Sequence, residues 1–215
     1  MALHIARMYY PVLTLGPGKR LGIWTAGCPR ACPGCISPEL QDTENGRTMT
    51  PGQVLGLLRS LGEKPEGITI SGGEPFLDPH ALLELLKGLR EITEDILLFT
   101  GFRMEQLEKD PICAAAAAMC AVIVDGPYER EKNTGVGLRG SDNQNIIVNR
   151  FAERYAGAEA WDRQLQLVTY GGNLLSLGIP GGGNHAQPGQ NTGPIPAGQT
   201  EYRRNPDAGG AGTGG

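Results

Sequence analysis

The sequence is poor in the features that mark several common classes of protein. Aromatic residues make up only 6% of its 215 residues, and 19 lysines and arginines face 23 aspartates and glutamates. With a net charge of −4, the chain lacks the basic surface of a nucleic-acid-binding protein. Its longest apolar runs, such as ILLF and CAVIV, are far too short to span a bilayer. We therefore expect neither nucleic acid nor membrane as a partner.

The N-terminus lacks the features of a secretion signal. The segment MALHIARMYYPV has no basic start, no long apolar stretch and no small-residue cleavage site. We therefore expect a cytoplasmic protein. In that reducing compartment, clustered cysteines hold metal or carry out chemistry more often than they form disulfides.

The C-terminal end of the chain has little that could form a core. From residue 181 onward it consists mainly of glycine, proline, asparagine, glutamine and threonine. Such a segment cannot offset the conformational entropy that ordering would cost. We predict one domain over residues 1–180 and a disordered Gly/Pro-rich tail over residues 181–215.

Short apolar segments alternate with helical patterns ahead of that tail. Strands are predicted at residues 20–27, 67–73, 95–101 and 121–126. Helices are predicted from Pro51, from Pro79, over RMEQLEKD and over PICAAAAAMC, and a hairpin is predicted to turn at Gly171–Gly172–Asn173. This alternation predicts βαβ units and a parallel sheet.

Distinctive short motifs follow the four predicted strands. The first strand leads into a cysteine cluster, and the others lead into GGEP, TGF and DGPY. In parallel α/β sheets, ligands bind at the carboxyl ends of the strands. The sequence therefore predicts an active site along this rim.

Three of the five cysteines, Cys28, Cys32 and Cys35, lie in one short loop. A closed zinc site requires four protein ligands, and a disulfide framework requires an even number of cysteines. Thiolates also favour iron–sulfur clusters, which normally have four cysteine ligands. A Cys-x3-Cys-x2-Cys loop could bind three irons of a 4Fe–4S cluster and leave the fourth open for a substrate. Cys113 and Cys120 are interpreted as small buried residues.

The ordered motifs resemble those of the radical S-adenosylmethionine superfamily. Within it, they are similar to the activases of glycyl-radical enzymes, such as anaerobic ribonucleotide reductase. The matching motifs are GPGKR (16–20), GCPRACPGC (27–35), SGGEP (71–75), TGF (100–102), VDGPY (124–128) and RGSDNQ (139–144). In place of the aromatic residue and Asn–Pro that usually follow the third cysteine, this chain has Ile36–Ser37–Pro38.

The resemblance implies a fold, a reaction and its partners. The fold would be an α/β partial parallel (β/α) barrel of the radical S-adenosylmethionine type. A 4Fe–4S cluster would reductively cleave S-adenosylmethionine to methionine and a 5′-deoxyadenosyl radical, which would abstract hydrogen from a glycine of a partner enzyme. Reduced flavodoxin or ferredoxin would donate the electron. Cys28, Cys32 and Cys35 would be the catalytic metal ligands. The S-adenosylmethionine contacts would be Gly34, Cys35, Ile36, Gly72, Gly73, Glu74, Pro75, Thr100 and Asp125.

Several of these residues also have plain structural interpretations. Gly72 and Gly73 suit a strand-end turn, Ile36 suits packing, and Thr100 suits a turn cap. Asp125 ends an apolar strand, where a carboxylate needs a cation, a ribose hydroxyl or a loop amide as partner. The polar loop with Arg139, Ser141, Asn143 and Gln144 could bind a ligand or remain solvated.

Two alternative functions are open at this point. A radical enzyme of the same fold could modify a peptide or a small molecule in a biosynthetic pathway. A non-catalytic iron–sulfur or zinc protein could serve as a scaffold or redox sensor. The rim motifs argue against the second alternative, because a metal clip would not need them.

Overall fold

The computed structural model describes residues 1–181; almost all of the predicted tail lies outside the described residues. The described chain forms strands β1 (Leu3–Val12), β2 (Arg20–Thr25), β3 (Arg47–Met49), β4 (Gly67–Gly72), β5 (Ile96–Phe99), β6 (Val122–Asp125), β7 (Asn145–Val148), β8 (Leu165–Tyr170) and β9 (Asn173–Gly178). Its α-helices are α1 (Pro51–Arg59), α2 (Pro79–Arg90), α3 (Met104–Leu107) and α4 (Pro111–Met119). Short 3-10 turns occur at Pro38–Leu40, Thr43–Asn45, Pro75–Leu77, Arg130–Lys132 and Ala158–Ala160.

The fold is a mixed α/β structure with a largely parallel central sheet. The strand order across the described sheet is β3-β1-β2-β4-β5-β6-β7. Strands β2, β4, β5 and β6 pair in parallel, which confirms the four strands expected from the sequence, each ending one or two residues earlier than predicted. Antiparallel β1, β3 and β7 extend both edges and were not predicted. The connection from β1 to β2 is too short for the crossover that a parallel pair requires, so these strands can pair only in antiparallel fashion.

Helices and a hairpin cover opposite faces of the sheet. Helices α1, α2 and α4 share one apolar core with alternate side chains of the central strands, including Ile23 and Ile70. Thr50 and Asp78 cap the starts of α1 and α2, and a proline follows each, as predicted. The predicted β8–β9 hairpin packs on the second core beside Trp24. Gln166 fixes this hairpin to β1, because its amide donates to the Pro11 carbonyl at 2.9 Å.

A buried polar network lies at the amino ends of the parallel strands. The fully buried guanidinium of Arg20 donates to Thr69 at 2.7 Å and to the Asp95 carboxylate at 3.1 Å. Asp95 also accepts the Tyr155 hydroxyl at 2.5 Å and pairs with Arg154 at 3.2 Å. Arg20, the final residue of the GPGKR motif, therefore stabilises the fold. It lies at the opposite end of β2 from the cysteine loop.

The helices of the described region are short relative to a bilayer. Over residues 1–181, none combines the length and the apolar character required to cross one. This agrees with the short apolar runs of the sequence.

Candidate active site

The cysteine loop begins where β2 ends, at the carboxyl edge of the sheet. Backbone N–H groups of Gly27 and Cys28 donate to the carbonyls of Leu40 and Gln41 at 2.9 Å, which closes the loop on itself. Gly27 has φ +91°, and a Cβ there would lie 2.5 Å from the Thr43 side chain. Glycine is therefore required where the chain leaves the strand.

The three clustered cysteines are half-buried free thiols. Amide N–H groups of Arg30 and Ala31 donate to the Cys28 sulfur, and the Ser37 amide and Gln41 side chain donate to that of Cys35. Burial raises the pKa of Cys28 and Cys35, and these hydrogen bonds oppose the effect by favouring the thiolate. Donor hydrogen bonds to sulfur are among the features by which proteins tune iron–sulfur clusters.

This donor set fits a 4Fe–4S cluster better than a single metal ion. Within the described residues, no three His, Cys, Asp or Glu side chains converge on the position of one ion. A cubane distributes its thiolates over separate irons, so its ligands need not converge on one point. Three thiols in one loop at the exposed rim match that requirement.

Glu74 joins the cysteine side of the rim to the loop after β5. Its buried carboxylate accepts hydrogen bonds from the Phe76 amide at 3.0 Å, the Thr100 hydroxyl at 2.8 Å and the Gly101 amide at 2.8 Å. Burial raises the pKa of Glu74, and these three donors oppose that effect. Thr100 also accepts a hydrogen bond from the Phe102 amide at 3.1 Å. Thr100 therefore acts as a turn cap, one of the two roles expected for it.

The glycines of SGGEP lie against the backbone of neighbouring segments. A Cβ on Gly72 would lie 2.3 Å from backbone atoms of Thr25, and one on Gly73 would lie 2.3 Å from the Gly27 carbonyl. The amide of Gly73 donates to Thr25 and that of Glu74 donates to Gly27, both at 2.8 Å. The glycines thus let β4 support the start of the cysteine loop, and the buried Pro75 begins the turn that follows.

Asp125, at the end of β6, has amide partners. Its carboxylate accepts the Met104 amide and the Asn145 side-chain amide, each at 2.8 Å. Arg103 lies 3.7 Å away. Of the partners that the sequence left open for this carboxylate, a cation and backbone or side-chain amides are present, and the amides connect β6 to α3 and β7.

The polar loop over residues 139–144 is ordered by internal contacts. The side chain of Gln144 accepts from the amides of Gly140 and Ser141 and donates to the Gly126 carbonyl at 2.8 Å. Arg163 donates to the carbonyl of Arg139, as well as to that of Pro180 at 2.8 Å. Sequence reasoning missed Arg163, since nothing near it in the chain indicates these distant carbonyls.

The connection between β6 and β7 reaches the cysteine loop from the far side of the sheet. The Arg130 side chain lies against Gly34, where an added Cβ would be 2.2 Å from its Nε. An added Cβ on Gly140 would be 3.3 Å from Ile36, which also packs on the second core. Gly34, Ile36 and the 139–144 loop therefore meet at one place, as the prediction of a common rim required.

Cys113 and Cys120 lie away from this rim. Cys120 follows α4 and is fully buried, which confirms the interpretation made for it, whereas Cys113 is only partly buried. Burial raises the pKa of Cys120 to about 12. The sequence motifs do not single out Arg30, although it lies between Cys28 and Cys32.

Comparison with known proteins agrees with this geometry. Residues 14–147 match the family described as "4Fe-4S single cluster domain". The chain therefore belongs to that class of iron–sulfur proteins, and the match spans the cysteine loop and the whole rim.

Curated relatives narrow the assignment. The anaerobic ribonucleoside-triphosphate reductase-activating protein of Escherichia coli K12 is 31% identical over 148 residues, covering 64% of this chain and 94% of that protein. Its namesake from Enterobacteria phage T4 is 30% identical over 149 residues, covering 66% and 92%. The one from Pasteurella multocida is 29% identical over 155 residues, covering 67% and 96%. The chain belongs to the family of anaerobic ribonucleoside-triphosphate reductase-activating proteins.

Proposed function

We propose that this protein activates an anaerobic ribonucleotide reductase by the radical S-adenosylmethionine reaction. Cys28, Cys32 and Cys35 would hold a 4Fe–4S cluster with one iron free of protein ligands. Once reduced by flavodoxin or ferredoxin, the bound cluster would supply the electron for cleavage of S-adenosylmethionine to methionine and a 5′-deoxyadenosyl radical. That radical would remove a hydrogen atom from a glycine of the reductase. One observation carries the proposal: three half-buried thiols lie on the same open rim as the loops after β4, β5 and β6.

The remaining rim residues would position the cosubstrate. Gly34 and Ile36 lie where the connection between β6 and β7 meets the cysteine loop, a place suited to an adenine. The SGGEP segment would face the methionine end. Its Glu74 already accepts three hydrogen bonds, so its proposed role is to fix the rim's shape as well as to attract an ammonium group.

An open rim suits a segment of another protein as the target. In the described chain, the loops after the parallel strands form the rim itself. An enzyme that acts on a small molecule needs an enclosing pocket with apolar walls. A glycine-bearing segment could enter such a rim, since glycine has no side chain to obstruct contact. An anaerobic, reducing cytoplasm with reduced flavodoxin or ferredoxin would suit an open-iron cluster.

Anaerobic reconstitution tests the reaction. The protein should bind about four irons per chain, and with dithionite and S-adenosylmethionine it should release 5′-deoxyadenosine and methionine, measured by chromatography. Cys32→Ser should abolish both products, whereas Cys113→Ser should retain them. Stoichiometric zinc without iron uptake would instead indicate the scaffold alternative.

Electron paramagnetic resonance tests the target. After incubation with a candidate anaerobic reductase, a glycyl doublet should form on the reductase and should be absent with Cys32→Ser. Turnover of a free small molecule, with no radical on any protein partner, would favour the biosynthetic alternative.

A further inference from the structure

Arg30 lies inside the cysteine loop, and its side chain crosses to the loop after β5. The stem of Arg30 passes directly over Gly101, where an added Cβ would be 2.3 Å from its Cδ. The guanidinium lies over the Phe102 ring, with its central carbon 5.2 Å from the ring centroid. A guanidinium over an aromatic face is a favourable cation–π arrangement.

This placement explains the three residues of the TGF motif together. Thr100 donates its hydroxyl to Glu74, Gly101 leaves room for the Arg30 stem, and Phe102 supplies the face on which the guanidinium lies. The motif is therefore arranged around two charged side chains, one from the cysteine loop and one from SGGEP.

Arg30 also acts on the first cysteine and on Glu74. Its backbone amide donates to the Cys28 sulfur. Its Nε is buried and has no hydrogen-bond partner within the described chain, so local hydrogen bonds leave part of the guanidinium unsatisfied. The positive charge of Arg30 acts to lower the pKa of the buried Glu74 carboxyl. The charge of Glu74 in turn acts to raise the pKa of Cys28.

We propose that Arg30 is a positioning residue that ties the cluster loop to the β5 rim through Phe102 and places a fixed positive charge beside the cluster. The inference rests on the proposed function, because it concerns the cluster that this function requires. The net charge near an iron–sulfur cluster sets its reduction potential, and a nearby cation favours the more negative reduced form. Arg30 should therefore make the cluster easier to reduce.

The test is the midpoint potential of the reconstituted cluster, from a dithionite titration followed by electron paramagnetic resonance. Arg30→Met should make one-electron reduction about tenfold less favourable, a fall of about 59 mV. Arg30→Lys, which keeps the charge, should restore most of the difference. Arg59→Met is the matched control, because its charge is highly exposed on α1 and should leave the potential unchanged.

A second variant separates the position of the charge from its presence. Gly101→Ala retains Arg30 but displaces its stem, so the potential should fall in the same direction by a smaller amount. This variant decides the matter if Arg30→Met does not load iron. A loaded Arg30→Met cluster with unchanged potential, or equal falls for Arg30→Met and Arg30→Lys, would overturn the inference alone. Wild-type protein that binds no iron would overturn the proposed function and the inference with it.

Discussion

The two ends of strand β2 carry the two most distinctive motifs of the chain, and they use polar side chains in opposite ways. At the amino end, Arg20 is fully buried and paired with Asp95, which also accepts Tyr155. At the carboxyl end, Cys28 and Cys35 are half-buried thiols held by backbone amides. Buried charges that are paired with partners stabilise the fold, whereas half-buried soft ligands remain available for chemistry.

The largest expected effect comes from removing the ligands at the carboxyl end. Serine in place of Cys28, Cys32 or Cys35 should abolish the cluster, since in the proposed site each thiolate would be one of three protein ligands. Iron content and visible absorbance of the reconstituted protein measure this. The far-ultraviolet circular dichroism should stay unchanged, because these side chains are outside both cores; a collapse of the fold would contradict the division between the two ends.

The converse experiment removes the charge at the amino end. Arg20→Met should lower the free energy of unfolding by about 3 to 5 kcal/mol, because it leaves the Asp95 carboxylate buried beside fewer donors. Chemical denaturation of the cluster-free protein measures the change. Arg59→Met removes an exposed arginine and should change stability by less than about 0.5 kcal/mol. An equal decrease in the free energy of unfolding for both variants would show that the buried network contributes no more to stability than an exposed arginine.

A methyl group tests the support of the cysteine loop. Gly73→Ala places a Cβ 2.3 Å from the Gly27 carbonyl, so the loop must shift and iron occupancy after reconstitution should fall several-fold. On sequence grounds, substitution at Gly73 would be expected to crowd a bound ligand and spare the cluster; the structure predicts an effect on the loop as well. Gly56→Ala, in α1 with no atom within 4 Å of the new Cβ, should keep full occupancy and stabilise by about 0.5 to 1 kcal/mol. Full occupancy in Gly73→Ala would contradict this support.

The smallest expected effect concerns the thiol of Cys120, which lies at neither end of β2. Burial raises the pKa of Cys120 to about 12, so it should resist alkylation by iodoacetamide at pH 8 while the folded protein reacts at Cys113. The unfolded chain ionises this thiol at its ordinary pKa, so its contribution to stability should be complete below that value and decline as the pH rises toward 12. Peptide mapping by mass spectrometry identifies the alkylated cysteine, and rapid labelling of Cys120 would contradict its burial.

Much of the framework could be predicted from local patterns. The four parallel strands, α1 and α2 with their prolines, and the hairpin at Gly171–Gly172 follow from periodicity and turn residues. The antiparallel edges were missed because β1 carries His4 and Arg7 among its apolar residues and shows no regular alternation, and β7 is short and follows a polar loop. Pairing partners of such strands are decided by connection length and by the sheet edge left open.

The sequence by itself determined the iron–sulfur family to which this protein belongs, because the spacing of Cys28, Cys32 and Cys35 and the order of the rim motifs are properties of the chain. Only the tertiary structure decided what the neighbouring residues do. Glu74 meets Thr100 and Gly101 across two strands, and Arg30 meets Phe102 from another loop. The physical reason is that thiolate ligands in one loop need only local spacing, whereas a buried carboxylate or a stacked guanidinium depends on partners that folding brings from distant positions.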